Sequence, residues 1–178
     1  MKKNIQLQHA DHRPSNKRFP LSIIANDIID PLNVGSLFRL CDALGIKKLY
    51  LCGSTSLPPN TRINKTSRST EKYVDYEYHE SAIVLIKKLR SVGALITSLE
   101  ITTDSVRIDD DEFQKIVSNS DPVCLIPGSE SKGVDDDLLA LSDICVHIPM
   151  QGYNSSMNVI AATSIACFEI CKNLKAIT

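Results

Sequence analysis

Ile148-Pro149-Met150-Gln151-Gly152-Tyr153-Asn154-Ser155-Ser156-Met157-Asn158-Val159 joins two elements of different period. Before it, Cys145 to Ile148 is a short apolar run that reads as a buried strand. After it, from about Ser155 to Cys171, alanines and apolar residues fall on several sides, as expected of a helix packed against a sheet or a partner subunit. In between, Ile148, Met150 and Met157 are able to wall a flat aromatic ring, with Ser156 and Asn158 as short polar groups beside it. Read alone, the stretch is equally a capped helix.

Outward from it the alternation continues. Leu21 to Ala25, Ile46 to Leu51, Ala94 to Leu99 and Val123 to Ile126 are apolar runs of strand length. Between them, Leu37, Leu40, Cys41 and Leu44 recur at three and four up to Gly45, and Ala82, Ile83, Leu85, Ile86 and Leu89 make a second amphipathic helix ended by Gly93. A polar loop with Pro58-Pro59 follows the second strand, and a short helix is expected around Asp135 to Leu141. This pattern predicts an α/β fold with a mainly parallel sheet, helices on both faces and ligands at the carboxyl ends of the strands. The 178 residues fit one domain, 1–178, with a basic arm over 1–20 and a core over 21–172.

A net charge of −1 supplies no global attraction to nucleic acid, but charge is unevenly placed. Residues 2–18 carry Lys2, Lys3, Arg13, Lys17 and Arg18 against Asp11, and residues 62–72 carry Arg62, Lys65, Arg68 and Lys72 against Glu71. Glu100, Asp104, Asp109, Asp110, Asp111 and Glu112 outnumber Arg107 and are expected on a solvated acidic face. The cysteines, at 41, 52, 124, 145, 167 and 171, lie in apolar segments without a CxxC pair and read as buried thiols. Cys167 and Cys171 share a helix face, yet no second pair or histidine completes a zinc site, and His9, His12, His79 and His147 have no metal spacing, so no metal is expected. No apolar run approaches a membrane span and the N-terminus is polar, which points to the cytoplasm.

Two further stretches can carry chemistry. Asn33-Val34-Gly35-Ser36-Leu37-Phe38-Arg39 enters a helix just beyond a strand; blandly, Asn33 caps the helix, Gly35 is packing and Arg39 is solvated. Pro127-Gly128-Ser129-Glu130-Ser131-Lys132-Gly133 lies between a strand and a helix, where backbone N–H groups are free to bind. It lacks the second glycine of a dinucleotide fingerprint and the Lys-Ser/Thr of a Walker loop, and its carboxylate would repel a pyrophosphate. A cofactor with little negative charge suits it better.

Together and in this order, the three stretches resemble the signature motifs of the SpoU (TrmH-type) RNA 2′-O-ribose methyltransferases of the SPOUT superfamily. N-x-G-x-x-x-R matches at Asn33, Gly35 and Arg39, and G-x-E-x-x-G at Gly128, Glu130 and Gly133. The third motif matches at Ile148-Pro149-Met150, Gly152 and Ser156-Met157-Asn158-Val159, with Met157 where Leu is usual and Ile160 where Ser is usual. The resemblance spans roughly residues 21–172 and implies an α/β-knot, with a deep trefoil knot over approximately 122–172. It implies a homodimer with the active site near the interface, S-adenosyl-L-methionine as cofactor, and an RNA substrate, tRNA favoured and rRNA possible.

Carried over by position, the cofactor contacts are Leu99, Gly128, Ile148, Ser156 and Met157. The catalytic set is Arg39, Asn33, Glu130, Ser156 and Asn158. A guanidinium with a pKa above about 12 is a poor proton acceptor, so Arg39 is assigned to phosphate positioning and oxyanion stabilisation. RNA is expected on Arg13, Lys17 and Arg18 of the arm and on Arg62, Lys65 and Arg68. Two rivals differ in class: a catalytically inactive knotted dimer that binds RNA or a nucleotide, and a Rossmann-type nucleotide enzyme, whose glycine fingerprint is missing.

Overall fold

The computed structural model describes residues 4–8 and 11–177; Lys2, Lys3 and His9 of the arm lie outside them. Along the chain run β1 (Phe19–Asn26), α1 (Pro31–Leu44), β2 (Ile46–Cys52), α2 (Thr61–Ser67), β3 (Tyr76–His79), α3 (Ala82–Ser91), β4 (Leu95–Leu99) and β5 (Val106–Arg107). There follow α4 (Asp111–Ser118), β6 (Val123–Pro127), α5 (Asp136–Leu141), β7 (Ile144–His147) and α6 (Val159–Asn173). The sheet has seven strands in the order β3-β2-β1-β6-β4-β7-β5, and every ladder is parallel.

Alternation along the strands separates two cores. Ile23 and Leu125 face α1, α4 and α6 with Phe38, Phe113 and Ile170; their chain neighbours Ile24, Cys124 and Ile126 face α3 and α5 with Ile86 and Leu138. All five residues of β6 are buried, which is why the central strands read as continuous apolar runs.

The expected strands and the α1, α3 and α5 helices are present, with ends shifted by one or two residues. Five elements differ from the sequence reading. Edge strand β3 (Tyr-Glu-Tyr-His) is polar on much of its surface, and β5 is two residues long, so neither has an apolar run to find. The basic segment after Pro58-Pro59 is not a loop but α2: the Asn60 side chain accepts from the N–H groups of Arg62 (2.9 Å) and Ile63 (3.4 Å). With Ile63 as its only buried apolar side chain, it leaves no periodic trace.

The acidic run is likewise structured. Asp110 accepts from Glu112 N–H at 2.8 Å to cap α4, Asp111 and Glu112 fill its first turn, and Phe113 and Val117 enter the core. Finally, α6 begins at Val159 rather than Ser155, leaving the segment from 148 to 158 as an irregular loop at the end of β7.

The chain leaves β4 for edge strand β5, returns through α4 to β6 on the other side of β4, then passes through α5 to β7. The carboxyl ends of these neighbours are level, with Leu99 opposite both Pro127 and Val146. No helix among the described residues is long and apolar enough to cross a membrane.

Candidate active site

At those level strand ends lies a cavity of about 380 Å³, within the usual size range of small-molecule sites. Leu99 and Pro127 contribute from the strand ends, and loops 128–133 and 148–157 close the sides. All five expected cofactor residues, Leu99, Gly128, Ile148, Ser156 and Met157, line it, and Met150 joins Ile148 and Met157 as its apolar wall.

The 128–133 loop is a closed turn. Ser129 N–H donates to the Gly133 carbonyl at 2.8 Å, Gly133 N–H returns a bond to the Ser129 carbonyl at 3.1 Å, and Gly133 has φ +70°. Glu130 projects from this turn, and its Oε1 accepts from Asn33 Nδ2 at 2.8 Å. The first two sequence motifs therefore meet through one hydrogen bond.

Asn33 is free for that bond because it is not the helix cap. Asp30 takes that role, accepting from Leu32 N–H at 3.0 Å, with Pro31 opening the helix. Gly35 answers to packing: a Cβ there would stand 2.0 Å from Thr66 Oγ1 and 2.4 Å from the Ile63 carbonyl oxygen. The glycine lets α2 rest on α1, where Thr66 Oγ1 donates to the Leu32 carbonyl at 3.1 Å. Exposed Arg62, Lys65 and Arg68 are thereby carried beside the helix that bears Arg39.

Arg39 itself is exposed and is not a cavity wall. It lies six residues beyond Asn33, ~9 Å further along the α1 axis. Asn158 is not itself a cavity wall, although its chain neighbours Met157 and Val159 are; its Oδ1 caps α6, accepting from Ile160 N–H at 2.9 Å and Ala161 N–H at 3.4 Å. Ile160, where Ser is usual, packs against the main core.

In the arm, Arg13 and Lys17 are exposed, while Arg18 is half-buried. Its backbone pairs with Ile177, and its guanidinium donates to the carbonyls of Ser15 and Lys17, both at 3.0 Å.

Two ionisable cavity residues were not among the expected site residues. Glu100 lines the cavity instead of joining a solvated acidic face, and His147 lines it while its Nδ1 shares a 3.0 Å hydrogen bond with Ser105 Oγ. Neither belongs to a motif, and the only available clue was position at the end of an expected strand. The thiols are unsuited to nucleophilic work: burial pushes Cys52 and Cys124 up to about 12 and Cys171 to about 11. Among the described residues no three His, Cys, Asp or Glu side chains converge as metal ligands do.

Residues 20–168 match the profile of the SpoU rRNA Methylase family. This chain belongs to the SpoU family. Similar SpoU relatives include the tRNA (guanosine(18)-2′-O)-methyltransferase of Thermus thermophilus, 28% identical over 149 residues covering 84% of this chain and 73% of that one. The 23S rRNA (guanosine-2′-O-)-methyltransferase RlmB of Blochmanniella floridana is 27% identical over 168 residues, covering 92% of this chain and 61% of its own. The fold matches the AdoMet-bound rRNA methyltransferase from Sinorhizobium meliloti with a TM-score of 0.77 at 23% identity, over 91% of this chain and 59% of that one.

Proposed function

We propose that this SpoU chain is an RNA 2′-O-ribose methyltransferase that uses S-adenosylmethionine. The observation that carries the reading is the convergence of the second and third motifs on one cavity, bonded to the first through Asn33 and Glu130. The lining fits that donor: Ile148, Met150 and Met157 offer apolar contact to a nucleoside, and Glu100 and Glu130 favour a cation over a diphosphate. When bound, the donor supplies an electrophilic methyl carbon on a sulfonium that leaves as a neutral thioether.

What remains for the protein is alignment and charge stabilisation. Leu99, Gly128, Ile148, Ser156 and Met157 hold the donor. Asn33 and Glu130 brace the turn beside it, and Asn158 sets the start of α6 and hence the rim. Arg39 holds a substrate phosphate and stabilises the negative charge that develops on the ribose oxygen as its proton passes to water.

Because Arg39 stands away from the cavity of its own chain, the reading includes a homodimer with the site near its interface. An apolar strip on α6 supports this, with Ile165 at 42% and Phe168 at 57% exposure. Arg13, Lys17, Arg62, Lys65 and Arg68 bind the RNA backbone, with a smaller part for Arg18. The tRNA relative favours tRNA as substrate, with rRNA the other class. The whole chain, 1–178, acts as one domain with an arm at 1–20 and a core over 21–172. The knot implied by the family spans approximately 122–172, where β6, α5, β7 and α6 lie. Free thiols support a cytoplasmic site of action.

Calorimetry with S-adenosylmethionine, followed by labelled-methyl transfer to unmodified tRNA and rRNA, tests the proposal. Binding with label on ribose 2′-oxygen is the expected result. RNA binding without donor binding at millimolar concentration would replace it with a non-catalytic RNA-binding dimer.

A further inference from the structure

Glu100 follows β4, and its carboxylate turns into the cavity wall. Oε2 accepts from the backbone N–H of Val134 at 3.0 Å, and Oε1 accepts from the backbone N–H of Ile101 at 2.9 Å. The same Oε2 fills the space beside two motif glycines: a Cβ on Gly128 would stand 2.9 Å from it, and one on Gly133 2.2 Å. Val134 is buried, so its N–H loses its partner if the carboxylate is removed. Between these anchor points lies the Ser129–Gly133 turn from which Glu130 reaches Asn33.

We infer that Glu100 is a positioning residue whose carboxylate locks the 128–134 turn in the shape that both walls the donor cavity and aims Glu130 at Asn33. This rests on the methyltransferase reading for its link to catalysis, but the locking itself is a property of the ligand-free chain. The two oxygens serve two backbone donors, so both are needed. A glutamine keeps one acceptor and turns an NH₂ group toward the other donor. The glycines at 128 and 133 and the acid at 100 act as one unit: the glycines leave the room that the carboxylate takes.

The test compares E100A and E100Q with the unaltered protein by amide hydrogen exchange in the ligand-free state, S-adenosylmethionine calorimetry and steady-state methyl transfer. In E100A, exchange at Val134 and Gly133 is expected to rise at least tenfold and donor affinity to fall at least tenfold. The KM for RNA should stay within twofold, and E100Q should lie between. N33A, harmful in the unaltered protein, should then add little to E100A, because Glu130 is no longer aimed.

Unchanged exchange and donor affinity in folded E100A or E100Q overturns the inference and leaves the methyltransferase reading intact. If E100A fails to fold, E100Q decides: faster exchange at Val134 supports the lock and unaltered exchange refutes it. An unaltered protein that binds no donor defeats the methyltransferase reading, while the exchange comparison still decides whether Glu100 holds the turn.

Discussion

Around the carboxyl ends of β6, β4 and β7, polar side chains are bonded to their own chain, whereas along α1 and α2 the cations Arg39, Lys65 and Arg68 extend into solvent. The first region is concave and assembled from residues far apart in sequence: Glu100 binds the N–H of Val134, and Asn33 binds Glu130. The second is convex and local. Its positive charges come from two short stretches of chain, and among the described residues Arg62 alone of these four cations has an acidic partner, Asp30 at 3.6 Å. A small molecule needs enclosure, and its site is complete within the fold. A polyanion needs outward charge, and this is the surface on which the proposed function puts the RNA.

Replacing Arg39 with alanine is the most severe test of that division. Methyl transfer should fall by about 10²–10³, the cost typical of losing a charge-stabilising group, while calorimetry finds donor binding unchanged. Loss of donor binding would show that the two regions are not separate. Asn33→Ala removes the hydrogen bond that joins them; a hydrogen bond to a carboxylate contributes about 1.5 kcal/mol, so turnover should drop about tenfold and the thermal midpoint fall by a few degrees.

Gly35→Ala asks whether the cationic surface depends on how α2 is seated. With Thr66 Oγ1 and the Ile63 carbonyl in the way, the variant should lose about 1–3 kcal/mol in denaturant unfolding and bind RNA more weakly. The mildest change is neutralising Lys65 or Arg68 singly. Each should lower the slope of log affinity against log salt by about one for an RNA phosphate contact, without altering donor affinity. A salt slope that ignores both residues would move the RNA surface elsewhere.

Charge and apolar pattern made the two regions unequally legible. The strands around the cavity were readable because β4, β6 and β7 are apolar runs, and Gly128, Glu130, Ile148 and Ser156 because the loops after β6 and β7 carry the family's motifs. On the other side, the basic residues were visible but α2 was not. A seven-residue helix with one buried apolar side chain, started by Asn60, has no period to detect. The acidic run is solvated as expected, with Asp104, Asp109, Asp110, Asp111 and Glu112 exposed, but its charges also cap and begin α4, and Glu100 at its edge turns inward.

Local order therefore follows from local chemistry. Strand runs, the stop at Gly45 and the spacing of the three motifs are written in consecutive residues, because burial and backbone freedom act over a few positions. Three-dimensional contact assigned the functions of individual residues: that Asp30 and not Asn33 caps α1, that Gly35 makes room for α2, and that Glu100 occupies the space left by Gly128 and Gly133. Those facts depend on distances of a few ångströms between residues many positions apart in the chain, and no local pattern encodes such a distance.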